Sequence, residues 1–94
     1  MIKPTVGRVV WFTPAQNDNR FDGYAAPFAA HVAYVWGDRC VNLMVILPSG
    51  SGVVGETSVT LIQDEDSKPG YGRYAEWMPY QVGQAKKHDA APAA

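Results

Sequence analysis

Phe28-Ala29-Ala30-His31-Val32-Ala33-Tyr34-Val35-Trp36, then Gly37-Asp38-Arg39, then Cys40-Val41-Asn42-Leu43-Met44-Val45-Ile46-Leu47: two apolar runs, rich in β-branched and aromatic residues, flank a Gly-Asp break. That pattern is the signature of a β-hairpin. Side chains alternate across a strand, so residues two apart share a face. On the first strand Ala30, Val32, Tyr34 and Trp36 fall on one side, and His31, Ala33 and Val35 on the other. On the second, Val41, Leu43, Val45 and Leu47 make an aliphatic stripe suited to an inner wall, while Cys40, Asn42, Met44 and Ile46 face the opposite way. The opposite face is too apolar for ordinary solvent exposure. Its expected cover is the tail, the long loop or another copy of the chain.

Working outward, Thr5–Phe12 reads as a strand that stops at Thr13-Pro14, with Gly7 marking a bulge or a close backbone approach. Residues 13–27 hold Asn17, Asp18, Asn19, Asp22 and Gly23 between two prolines and read as a long polar loop. Phe21 and Tyr24 within it either pin the loop to the barrel or stand exposed for binding. Pro48–Gly52 is a turn, Thr57–Gln63 a fourth strand with Val59 and Leu61 on one face, Asp64–Gly70 a charged loop, and Tyr71–Met78 a last strand ending at Pro79. Residues 84–94 have little to bury and read as a disordered tail or a frayed helix. The expectation is one all-β domain over 1–83, a small five-stranded SH3-like barrel with a long first loop, followed by a flexible tail over 84–94. An OB fold is the rival, but Pro48–Glu56 is too short and too glycine-rich for the helix it would need there.

Composition limits the function classes. Ninety-four residues make one domain, and the 47% hydrophobic content with three Trp, five Tyr and three Phe can build its core. The single Cys40 makes no disulfide or zinc site by itself and reads as a core thiol in a reducing compartment. A net charge of −1 argues against a protein that coats nucleic acid. No stretch is long and apolar enough to span a membrane.

No phosphate-cradling glycine loop, paired cysteines, metalloprotease helix or nucleophile elbow is present, and no cofactor is implied. His31 stands alone on an apolar strand without a carboxylate or nucleophile beside it, which favours a structural or surface residue over a general base. His88 lies in the tail and reads as exposed. The Asp64-Glu65-Asp66 run lacks the alternate spacing of a calcium loop and reads as a solvated turn. The sequence therefore points away from an enzyme and toward a binding protein. The candidate contact residues are Arg8, Trp36, Asp38 and Arg39 at the hairpin tip, Asn42 and Met44 on the outer face, and Trp77 and Tyr80. Arg39 offers a fork for an acidic or phosphate partner. Trp77-Met78-Pro79-Tyr80-Gln81 is an aromatic–proline cluster of the kind found at recognition surfaces. Trp77 itself is expected to fill the core.

Three blocks, Met1-Ile2-Lys3-Pro4-Thr5-Val6-Gly7-Arg8-Val9-Val10-Trp11, Ala33-Tyr34-Val35-Trp36-Gly37-Asp38-Arg39-Cys40-Val41-Asn42-Leu43 and Trp77-Met78-Pro79-Tyr80-Gln81, resemble a family of small proteins of tailed bacteriophages and prophages. The resemblance runs from about Met1 to about Gln84. It implies a phage source and the host bacterial cytoplasm as the place of action, and supplies no site residues. The leading functional expectation is a non-enzymatic accessory protein that binds a host protein or a small nucleotide ligand, as in countering host defence, and that forms a homo-oligomer. The alternatives are a nucleic-acid-binding barrel using Arg8, Arg20, Arg39 and Arg73, and a virion or assembly component.

Overall fold

The computed structural model describes residues 1–89. The expectations placed on residues 90–94 and on the His88 side chain lie outside what it describes. Five strands form a closed barrel in sequence order: β1 Val9–Thr13, β2 Phe28–Gly37, β3 Cys40–Ile46, β4 Val53–Ile62 and β5 Tyr74–Glu76. This is the small all-β barrel expected from the sequence. A single 3-10 turn, Asn19–Phe21, interrupts the long first loop, and a helix, α1, runs Pro79–Asp89.

The β1–β2, β2–β3 and β3–β4 ladders are antiparallel, as is the β1–β5 ladder. Closure comes from a parallel β4–β5 pairing, Thr60 with Tyr74 through Ile62 with Glu76. Parallel neighbours need a crossover rather than a tight turn. The charged segment between Ile62 and Tyr74 supplies it, which is why β5 is only the core of the expected Tyr71–Met78 strand. Gly72 makes the crossover possible: its φ is +88°, and a Cβ there would collide with the Pro14 carbonyl oxygen.

The interior is filled by Val10 and Phe12 of β1, Phe28, Ala30 and Val32 of β2, Val41, Leu43 and Val45 of β3, and Val59 and Leu61 of β4, with Ala75 and Trp77. The aliphatic stripe on β3 is thus the inner wall. Phe21 is buried against Phe12 and Phe28, at ring separations of 6.0 and 4.9 Å, and pins the long loop to the barrel. Tyr24 stays at the surface, its hydroxyl 3.0 Å from Ser49 Oγ.

Three expectations require correction. Strict alternation put Tyr34 and Trp36 on the face of Ala30 and Val32. Register shifts between Val32 and Tyr34 and between Val35 and Gly37 reverse the last part of β2. An extra residue in one strand flips the later side chains to the other face. Val35 therefore packs on the core, while Tyr34 and Trp36 point outward. Second, β1 starts at Val9 rather than Thr5, because the chain turns at Gly7 (φ +94°), whose N–H reaches the Val32 carbonyl at 2.8 Å. Third, β4 begins at Val53 rather than Thr57. Of the two readings of the tail, residues 84–89 take the helical one. Pro79 is a favourable first helical residue. The Gln81 side chain fastens that first turn, accepting from Met78 N (2.7 Å) and donating to the Val9 carbonyl (2.8 Å).

Candidate functional site

The eight candidate residues separate into two places. Arg8, Asp38, Arg39, Trp77 and Tyr80 gather at the end of the barrel where the N-terminal segment, the hairpin tip, the acidic turn and α1 meet. Trp36, Asn42 and Met44 lie on the outer face of β2–β3–β4.

At the barrel end the organising residue is one the sequence did not single out. Gln63 is 1% exposed. Its Oε1 accepts from the Ile2 N–H and from Trp77 Nε1, both at 3.2 Å. Its Nε2 donates to the carbonyls of Ile2 (2.7 Å) and Asp38 (2.8 Å). One amide thus uses two acceptor and two donor positions to tie the N-terminal segment, the hairpin tip and the core tryptophan together. Asp38 contributes its backbone here.

Arg39 does not present a free fork. Its Nε donates to Asp66 Oδ2 at 2.8 Å. The Asp66 carboxyl is held below the usual carboxylate range, first by this guanidinium and then by the Gln63 N–H. The acidic turn therefore serves as the hairpin tip's internal partner. Arg20 is likewise engaged: its Nη2 binds both oxygens of Glu56 (3.1 and 3.0 Å), and it pairs with Asp18, which caps the 3-10 turn. Glu56 is 5% exposed and also lies 4.0 Å from Arg73 Nε. Arg73 Nη2 donates to the Thr57 carbonyl at 2.6 Å. Three of the four arginines proposed for a nucleic-acid surface thus spend their charge inside the molecule. Arg8 makes no salt bridge among the described residues and lies over the Trp77 ring, 5.1 Å from its centre.

A cavity of about 570 Å³ opens at this end. Ile2, Ile62, Trp77 and Val82 give it an apolar floor, and the Lys68–Glu76 pair (2.9 Å) and Lys86 stand on its rim. A second depression of about 390 Å³, reached past Arg8 and Tyr80, adjoins it across Ile2 and Ala85. Trp77 is buried, as expected, and its edge reaches the cavity; Tyr80 is exposed.

On the outer face, Asn42 Oδ1 accepts from Trp36 Nε1 (2.9 Å) and from the Ser58 N–H (2.8 Å). Ser58 has φ +51° and sits in the β4 irregularity opposite Asn42. The amide therefore secures that bulge and fixes the indole in one orientation. Trp36 is 62% exposed and Tyr34 50%, their rings edge-on at 4.8 Å. Met44, 48% exposed, lies one row further along, between His31 and Gly55. His31 is exposed, and among the described residues no cluster of three metal-ligating side chains occurs.

Sequence reasoning missed Glu56, a polar residue in a strand that alternates imperfectly, and Gln63, a polar residue just past the end of β4. Gln63 was readable in phase from Val59 and Leu61, whereas Glu56 is out of phase with them and turns inward only through the irregularity opposite Asn42. No family model matches the chain, and neither a curated protein nor a solved structure matches it, so the functional reading rests on the residues and their geometry.

Proposed function

We propose that the chain is a non-enzymatic accessory protein of a bacteriophage that binds a host protein inside the bacterial cell, with the barrel end as its contact surface. The observation that carries this reading is the 570 Å³ cavity, apolar at its floor and ringed by charges of both signs. An apolar centre inside a polar rim is the anatomy of a protein interface. A rim of mixed sign complements a protein better than it complements a polyanion, and the internal pairing of Arg20, Arg39 and Arg73 takes three of the eight cationic side chains from a nucleic acid. Arg8, over the Trp77 ring, and the exposed Tyr80 are residue types that anchor such contacts.

Photo-crosslinking tests this. A crosslinker at Tyr80 or Val82 captures the partner from infected cells, and one at Ser51, at the far turn, does not. With the captured protein purified, Arg8→Ala and Tyr80→Ala each weaken binding by roughly tenfold or more. Equal capture from Ser51, or unchanged affinity in both variants, refutes the assignment. Retardation of single-stranded nucleic acid at low salt, abolished by Arg8→Ala, would favour the nucleic-acid reading instead.

A further inference from the structure

We infer that the outer face of β2–β3–β4 is a two-fold interface with a second copy of this chain. The three strands span Phe28–Gly37, Cys40–Ile46 and Val53–Ile62 and contain no lysine, arginine or aspartate and a single glutamate. That glutamate, Glu56, points inward to Arg20. Elsewhere the chain is well charged, at 18% over its whole length. Neither the long loop nor α1 covers this face: Tyr34, Trp36, Met44 and Val53 all remain exposed.

Charge and shape favour a copy of the chain over other occupants. In a two-fold interface the same patch meets itself, so any charge near the axis would oppose its own image. The three strands bring no lysine, arginine or aspartate to that axis, the nearest basic groups being His31 beside Met44 and Arg73, whose guanidinium is held on the Thr57 carbonyl. Such a face offers little to the phosphates of a nucleic acid and little to steer a charged partner. The face also carries both projecting side chains and an open position. Met44 and Trp36 stand out from the sheet, and the neighbouring row position on β4 is Gly55. A Cβ on Gly55 would meet nothing within 4 Å, so the isolated chain does not need glycine there. Glycine inside a strand weakens it and often marks the close approach of another backbone or ligand. The gap at Gly55 admits a projecting side chain from the facing copy.

The area is that of a weak dimer. At about 3.3 Å per residue and about 4.8 Å between strands, the face projects roughly 300–450 Å². The projecting tryptophan, tyrosine and methionine raise its accessible area toward the roughly 600 Å² per partner at the low end of specific interfaces. Trp36 enters contact with its N–H already bonded to Asn42 and its ring held against Tyr34, so little side-chain freedom remains to be lost.

Light scattering on size-exclusion fractions over a wide concentration range provides the test. The wild-type mass rises with concentration from that of one chain to that of two and stops there. Gly55→Val fills the gap with a good strand former and keeps the chain monomeric, while the monomer melts at or above the wild-type temperature. Met44→Lys puts like charges face to face and gives the same monomer without altering Gly55. Tyr80→Ala, at the barrel end, dimerises as the wild type does. A wild-type chain that remains monomeric at the highest concentration overturns the inference. So does a dimer untouched by Gly55→Val and Met44→Lys, or a mass that climbs past two chains without closing.

Discussion

Replacing Gln63 by leucine should unfasten the barrel end while leaving the strands in place. The two side chains are close in volume, so little of the effect comes from a cavity. What is lost is the amide's set of four hydrogen bonds. The Ile2 pair lies at a half-buried position, where water can replace the amide once the N-terminal segment lifts. The Asp38 carbonyl is likewise half-buried, whereas the Trp77 indole N–H is buried with Gln63 as its partner. A buried polar group left without its partner costs about 1–3 kcal/mol, and three half-buried hydrogen bonds at about 0.5–1 kcal/mol each bring the loss to about 2.5–6 kcal/mol. A domain of this size has roughly 5–15 kcal/mol in total, so a loss near the middle of that range removes a large share of it.

Urea unfolding followed by tryptophan fluorescence reads this directly. At a slope of about 1.5 kcal/mol per molar, a loss of about 4 kcal/mol moves the midpoint down by about 2–3 M. Hydrogen exchange adds location: the Ile2 amide loses protection well before those of β3. Gln63→Glu sharpens the test. Its carboxylate would face two carbonyl oxygens with no proton to offer, so this variant gains stability as the pH falls, when the acid form recovers one donor. A Gln63→Leu midpoint within about 0.5 M of wild type, with Ile2 still protected, would refute the account, because a loss below about 1 kcal/mol means that water already serves these groups.

Arg20→Ala leaves the buried Glu56 carboxylate with only the more distant Arg73, and a carboxylate stripped of its partner in that setting costs about 2–4 kcal/mol; a melting temperature within a degree or two of wild type would contradict this. Asp18 and Asp66 are both held below the usual carboxylate range, Asp18 by the Arg20 guanidinium and Asp66 by that of Arg39. Such groups bind fewer protons folded than unfolded, so their contribution is complete above an unfolded value of about 4 and is lost as the pH falls through the folded one. Chemical-denaturation titrations should be flat from about pH 7 to pH 5, decline below about pH 4, and decline less in high salt because both pairs are at the surface; a flat acid limb would refute the assignment. The two glycines at 72 and 83 should respond oppositely to alanine. Gly72→Ala drives a Cβ into the Pro14 carbonyl at a positive φ and destabilises strongly, whereas Gly83→Ala meets open space within α1 and stabilises the helix by up to about 1 kcal/mol, visible by circular dichroism.

How far the fold was legible can be traced along the central hairpin. The apolar runs, the Asp38-Arg39 turn and the β3 stripe are properties of composition and period, and they predicted the barrel and its inner wall. What period cannot register is an interruption of period. The shift after Val32 leaves no compositional trace, since Ala33 is as acceptable at a bulge as in a regular strand, yet it decides that Trp36 points to solvent rather than to the core. The same holds on β4, where the stretch opposite Asn42 carries an extra twist that Ser58 absorbs at positive φ. Helix α1 was hidden for a different reason. Its sequence is polar with a central glycine, and its position depends on Gln81 bonding to Val9, far away in the chain. Arg39 shows the same limit at a candidate site. Its residue type suggested a free fork, and only the crossover that brings Asp66 beside the tip reveals that the fork is filled.

These interruptions also explain why the molecule has two distinct surfaces rather than one. Had β2 kept strict alternation, Tyr34 and Trp36 would have joined the core and Val35 would have faced water. The outer face would then have held Ala33, Val35, Met44 and Ile46 but neither aromatic residue. The bulges turn the two aromatics outward, and Asn42, placed on β3 where the β2 and β4 irregularities meet, accepts from the Trp36 indole and the Ser58 backbone at once. Replacing Asn42 by leucine would therefore free Trp36 and relax the bulge together. The geometry of the bulge and the presentation of the anchor form one device, independent of the Gln63 network that builds the cavity at the other site.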